Sequence, residues 1–230
     1  MQALHMNVAG IDIAVQRKPI KHMHLRVNPP AGAVTVSAPL WVDDAEIERF
    51  VHAKLPWLRK HRERYRDVVQ AGERRYETGE TLDIWGRRYR LQLHPGRRYD
   101  LRLSGDTAVL TAPADSTAVR REQFMRDWYR GQLSEAIADR LPRWQAACGL
   151  YCTSWRCRYM VSRWGSCTTA TGALRFSLRL AEHPPECLDY VIVHELAHLR
   201  VPNHGADFRA LMDRLMPDWR VRRAQLRNRS

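Results

Sequence analysis

The chain has 230 residues, and its 38 Lys and Arg against 25 Asp and Glu give a net charge of +13. That length supports one large domain or two small ones. No run of about eighteen apolar residues occurs, which argues against a membrane-spanning helix. The five cysteines (Cys148, Cys152, Cys157, Cys167, Cys187) are odd in number and lack C-x-x-C spacing, which argues against a disulfide framework. The first residues lack the charged and apolar regions of a secretory leader, so reduced thiols in a cytoplasmic protein are expected, with no membrane partner. The positive charge is spread evenly, with 19 basic against 13 acidic residues in 1–110 and 19 against 12 in 111–230. Local concentrations stand at Arg59-Lys60-His61-Arg62, Arg87-Arg88-Tyr89-Arg90 and Arg220-Val-Arg222-Arg223. They read either as solvated faces of an arginine-rich protein or as a nucleic-acid footprint.

From the N-terminus, period-two alternation predicts a strand from Val8 to Val15, then strands at Met23 to Val27 and Val34 to Ser37 on either side of a turn at 28–32. Asp43-Asp44 caps a helix whose apolar face is Ile47, Phe50, Val51, Leu55 and Leu58, kinked at Pro56. Two hairpins follow: Thr81–Trp85 with Tyr89–Leu93 around Gly86-Arg87-Arg88, and Tyr99–Leu103 with Ala108–Thr111 around Ser104-Gly105-Asp106. The segment 113–117 is the best linker, so the expected division is a β-rich region with one helix over 1–112 and a second region over 118–230. Beyond the linker, Phe124, Trp128, Leu133, Ile137, Leu141 and Trp144 trace a long amphipathic helix with Pro142 near its end. Strands at Ser154–Met160 and Leu174–Leu180 precede a further helix, and another runs from about Ala206 to Met216. No internal repeat or low-complexity tract is evident.

The helix between these last elements carries the chemistry. Pro184-Pro185 starts it, Val201-Pro202 stops it, and His194-Glu195-Leu-Ala-His198 lies within it. A helix advances about 100° per residue, so His194 and His198 share one face, and Glu195 projects toward the same side. Two imidazoles so placed can bind one metal ion with a carboxylate beside the metal-bound water. The apolar run from Leu188 to Val193 buries the helix, a poor setting for unpaired imidazoles. His204 follows the turn and can swing back as a third ligand, leaving one position on a zinc ion open. The alternative is a closed structural site, with Cys167 as the fourth ligand. The spacing to the third histidine also matches metzincins, but those carry glycine where this chain has Val201, so the helix must end differently. Met216 belongs to a core stripe with Phe208, Leu211, Met212 and Leu215. Asp189 reads as a first-turn acid favoured by the helix dipole or as a partner of the ligands.

Between the two late strands stands Ser162-Arg163-Trp164-Gly165-Ser166-Cys167. Together with Leu188-Asp-Tyr-Val-Ile-Val-His-Glu-Leu-Ala-His-Leu199, Asn203-His-Gly205 and the earlier Thr78-Gly-Glu80 and Trp85–Leu91, it resembles the YgjP-like metallopeptidase family over nearly the whole chain. His204-Gly-Ala-Asp-Phe208 is also similar to the third-ligand segment of SprT-like proteases. Departures from the family pattern stand at Val161, at Arg175-Phe-Ser-Leu178 and at Arg209, none on a proposed ligand. The resemblance implies an α+β protein, a β-rich N-terminal region followed by a compact gluzincin-like zinc peptidase domain. It implies one Zn²⁺ on His194, His198 and His204, with Glu195 as general base for a zinc-activated water, acting on peptide or unfolded-protein substrates. Arg163, Trp164, Gly165 and Ser166 are candidate substrate or oxyanion contacts, with Arg163 alternatively a structural ion-pair residue and the neighbouring strand a place for an added peptide strand. Two other readings stay open: a DNA-associated SprT-like protease, and a non-enzymatic module around closed zinc. The sequence leaves the oligomeric state undecided.

Overall fold

A computed structural model describes residues 4–28, 33–59, 74–160 and 162–227. The expected turn residues 29–32, the basic run 60–62 and Val161 lie outside the described residues. The chain divides into two compact units, residues 1–73 and 74–230.

In the first unit, β1 (Leu4–Val8), β2 (Ile11–Lys18), β3 (His24–Asn28) and β4 (Ala33–Pro39) form a sheet of order β1-β2-β4-β3. β2 and β4 run parallel, while the outer pairs are antiparallel. The single strand expected from Val8 to Val15 is instead two strands. Ala9 and Gly10 both take positive φ (52° and 77°), the geometry of a two-residue hairpin turn, and the Gly10 N–H donates to Asn7 Oδ1 at 3.2 Å. Helix α1 (Asp44–Ala53) is capped by Asp43, which accepts from the Glu46 N–H at 2.6 Å. It ends at Ala53, and after a break at Lys54 the chain is helical again over 55–59 with Pro56 in the first turn of that stretch, so the expected kink takes the form of a break just ahead of the proline. Ile47, Val51 and Leu58 nevertheless join Ile13, Val15, Val34 and Val36 in one core.

In the second unit, β5 (Thr81–Ile84), β6 (Arg87–Pro95), β7 (Asp100–Ser104) and β8 (Thr107–Ala112) form both expected hairpins, in the order β5-β6-β8-β7. The first turn lies one residue earlier than its glycine suggested, at Trp85 (φ 49°) and Gly86 (φ 80°). β6 and β8 are parallel. The two sheets therefore share one topology, each with a positive-φ pair in its first hairpin turn. Each is followed by a helix whose cap accepts from the N–H three residues on, Asp43 from Glu46 and Thr117 from Arg120. Ala38-Pro39 recurs as Ala112-Pro113 and Phe50 as Phe124. A four-strand-and-helix module thus occurs twice. The helices, ten and thirty-one residues long, are too unequal for the repeat to register in the sequence.

The segment 113–117 joins β8 to helix α2 (Ala118–Cys148) inside the second unit. The division falls at 73/74 because Leu82, Leu91 and Leu110 of the sheet share a core with Met125, Leu133 and Ile137 of α2. Residues at intervals of four (Met125, Tyr129, Leu133, Ile137, Leu141) make the buried stripe, while Phe124, Trp128 and Trp144 flank it. The helix runs six residues past Pro142 and ends at Gly149. Three short strands follow, β9 (Ser154–Arg158), β10 (Gly165–Thr168) and β11 (Ala173–Ser177), in the order β10-β11-β9 with β10 on an edge. The strand expected to reach Leu180 gives way to a 3₁₀ turn over Leu178–Glu182. Helices α3 (Pro185–Ala197), α4 (Ala206–Leu215) and α5 (Trp219–Arg227) complete the unit, α5 being unforeseen. The result is a mixed α+β protein with its strands concentrated in the N-terminal half and its helices in the C-terminal half.

The first hairpin of the second unit fixes the entry to α3. Trp85 N–H donates to the Ala181 carbonyl at 2.7 Å and Gly86 N–H to the Glu182 carbonyl at 3.2 Å. A Cβ on Gly86 would fall 2.7 Å from Pro184 Cγ, and its φ of +80° disfavours any side chain. Gly86→Ala is therefore expected to destabilise the protein by about 1–3 kcal/mol, read from urea unfolding. Pro184→Ala in the same chain should recover only part of that loss, because it relieves the clash but not the backbone strain.

Candidate metal centre

Helix α3 is buried nearly all round, with Leu188, Val191, Ile192, Val193, Leu196 and Ala197 in the core. Asp189 fastens it from outside: its carboxylate accepts from Trp144 Nε1 at 2.9 Å and lies 3.8 and 3.6 Å from Arg140 and Arg222. Asp189 is therefore a tie between helices, not a partner of the ligands. His194 sits in the last turn and His198 is the C-cap residue, not an interior one. Its φ and ψ of −65° and −20° remain helical, so the one-turn stacking of the two imidazoles survives. The chain then turns, with Val201 N–H bonded to the Ala197 carbonyl at 2.9 Å, and Pro202 follows. His204 returns just ahead of α4, whose N-cap is Gly205.

The three expected histidines converge. His204 Nε2 lies 3.0 Å from His194 Nε2 and 3.1 Å from His198 Nε2. The Phe208 ring forms their floor, with centroids 4.9, 4.7 and 4.8 Å from the three imidazoles. His198 Nδ1 is 3.1 Å from the Val201 carbonyl, which only accepts, so in the neutral ring Nδ1 carries the proton and Nε2 is a bare lone pair. Burial drives the His194 pKa down to about 3, helped by His198, His204 and Arg223. His204 is lowered as well, by desolvation first and then by His198 and Arg223. A neutral His204 Nε2 can form a hydrogen bond with only one of its two neighbours at a time, so at least one close nitrogen pair has no hydrogen bond across it. A cation resolves this conflict, and neutral imidazole nitrogens are what zinc takes. Among the described residues no fourth His, Cys, Asp or Glu joins the group, and Cys167 stands outside it.

Glu195 lies beside this point, 5% exposed. Burial pushes its carboxyl up to about 8, against the opposing pull of the Arg163 guanidinium and of the Cys167 N–H that it accepts. The carboxylate rests on β10, where a Cβ on Gly165 would fall 2.5 Å from Oε1 and 2.9 Å from Cδ. Only a glycine leaves room for it. The two constellations separate in sequence thus face one another across a cavity of about 400 Å³. Arg163, Trp164, Gly165, Ser166 and Cys167 line one wall and the histidines the other.

The four candidate contacts differ in character. Arg163 is exposed and, among the described residues, forms no ion pair of contact distance, so the ion-pair alternative finds no partner there. Trp164 is largely a packing residue: its ring meets His183 edge-on at 4.7 Å, lies under Arg179 at 5.0 Å, and its carbonyl accepts from Ser177 N–H. Ser166 sits on β10 opposite Arg175. The sequence reading overlooked Tyr190, whose hydroxyl is 3.4 Å from His194 Nδ1, although its place one turn before His194 was a usable signal. It also read Arg223 only as part of a basic run, and nothing local marked its approach to the histidines.

A family model described as YgjP-like, metallopeptidase domain, matches residues 21–229. Neither the curated proteins nor the solved structures give a match.

The raised carboxyl of Glu195 makes a stability prediction for the metal-free protein. Its folded pKa, about 8, exceeds its ordinary value of 4.5, so its contribution is complete below 4.5 and is lost as pH rises through 8. Glu195→Gln removes that loss. Its stability relative to wild type should therefore increase from near pH 5 to near pH 8, by up to about 1.4 kcal/mol per pH unit, in urea unfolding with chelator present.

Proposed function

The chain belongs to the YgjP-like metallopeptidase family, and on that footing we propose that it is a zinc-dependent peptidase that hydrolyses peptide bonds in unfolded segments. One observation carries the reading: three imidazole nitrogens converge beside a buried carboxylate at the wall of an open cavity. A set of three protein donors is the kind that catalytic zinc uses, since it leaves a position for reactants.

His194, His198 and His204 would hold the ion. Zinc, when bound, supplies Lewis acidity and lowers the pKa of water at that point, and its charge favours the ionised form of Glu195. Glu195 then takes the proton of the water that attacks the peptide carbonyl and returns it to the departing amine. Burial suits it to this exchange, because a carboxylate out of water gives up little solvation on accepting a proton. Gly165 keeps the carboxylate in place by presenting no side chain. Among the described residues β10 is an edge strand, which supports an extended substrate lying beside it as an added strand, held by main-chain hydrogen bonds. Arg163, on the same wall, supplies positive charge toward the carbonyl oxygen as it becomes negative.

Glu195→Gln should keep its zinc and lose about 10²–10⁴-fold in cleavage of an unfolded protein panel; full activity in that variant would remove Glu195 from the chemistry. Gly165→Ala should also keep its zinc while turnover falls about 10²-fold, because the carboxylate must move away from the added methyl group. Loss of zinc from that variant would show instead that the substitution disturbs the histidines.

A further inference from the structure

The geometry points to Tyr190 as the residue that positions His194, a role that rests on the reading of the three imidazoles as zinc ligands. Each ligand that turns Nε2 toward the ion must keep its proton on Nδ1, and a buried N–H without an acceptor costs about 1–3 kcal/mol. The chain meets this demand differently at each histidine. His198 Nδ1 has the Val201 carbonyl at 3.1 Å, an acceptor built into the turn that ends the helix. His204 stands in the exposed segment before α4, where water serves. His194 has neither: it lies in the last turn of a buried helix, and the polar atom set against its Nδ1 is the Tyr190 hydroxyl at 3.4 Å. The phenolic oxygen accepts the ring proton and so fixes both the tautomer and the tilt of His194.

Tyr190 is itself held. Its ring, 6% exposed, stacks on Trp219 with centroids 6.3 Å apart and planes 8° from parallel. Trp219 Nε1 donates to Asp213 Oδ1 at 2.7 Å, and Arg220 binds the same carboxylate. A continuous path thus runs from Asp213 on α4 through Trp219 on α5 to Tyr190 and His194 on α3. The C-terminal helix, which carries no ligand, steadies the one ligand that the backbone of its own helix leaves without an acceptor.

The test is zinc affinity, measured by competition with a chromophoric chelator, for wild type and Tyr190→Phe. The variant should bind about 10–100-fold more weakly while the metal-free melting temperature stays unchanged. A second measurement reads the ring proton directly. In the cobalt-loaded wild-type protein, the His194 ring N–H should give a slowly exchanging, paramagnetically shifted proton resonance with a cross-relaxation to the Tyr190 ring, and in Tyr190→Phe that resonance should vanish while the His198 one remains. A general loosening of structure would not remove one signal and spare the other. Zinc affinity within about two-fold of wild type, with the His194 proton still protected, overturns the inference and leaves the zinc reading standing. A wild-type protein that binds no zinc overturns both.

Discussion

The thirteen residues of α3 pass largely among apolar neighbours, so the polar groups they bury must find partners within the protein. That demand organises the second unit. Asp189 is met by Trp144, Arg140 and Arg222, which ties α3 to α2 and α5. Glu195 is met by the Cys167 N–H and the flank of Gly165, which brings β10 against the helix. His194 and His198 are met by each other's neighbourhood, by Tyr190, by the Val201 carbonyl and by His204 across the turn. The same burial that makes these groups costly holds His194 neutral, and a neutral imidazole is the form that binds metal.

The parts of the site that local periodicity determines were readable from the residues. His194, Glu195 and His198 follow from the pitch of a helix, and His204 from a turn too short to carry it far. What was hidden depended on contacts between distant segments. Gly165 was expected only as a substrate or oxyanion contact; that it makes room for Glu195 emerged when β10 was set against the helix, and a four-residue strand of small and polar side chains gives no alternation to detect. Arg223 sits on a helix whose basic composition resembles any solvated face. The fold divides in the same way. Strand positions followed from alternation, but the hairpin at Ala9-Gly10 shows in it only as a change of phase, from Met6 and Val8 at even positions to Ile11, Ile13 and Val15 at odd ones. The boundary of the units was equally hidden: 113–117 has a linker's composition, yet the residues before and after it share one core.

The twice-used module makes a useful contrast. In the first unit the helix after the sheet breaks after ten residues, at Lys54, just ahead of Pro56. In the second the equivalent helix runs to thirty-one and supplies the stripe on which the 3₁₀ turn, β9 and α3 pack. One arrangement of strands has thus been given two uses, and the length of a single helix separates them.

The hairpin turn at Trp85-Gly86 carries a consequence for how such chains can vary. Gly86 and Pro184 are ninety-eight positions apart in the sequence, yet they compete for the same few cubic ångströms at the mouth of α3. Neither can change freely while the other stays. Across homologues the two positions should covary, a small residue at one accompanying a ring at the other. A helix transplanted into this place from one relative to another would have to bring its matching hairpin with it.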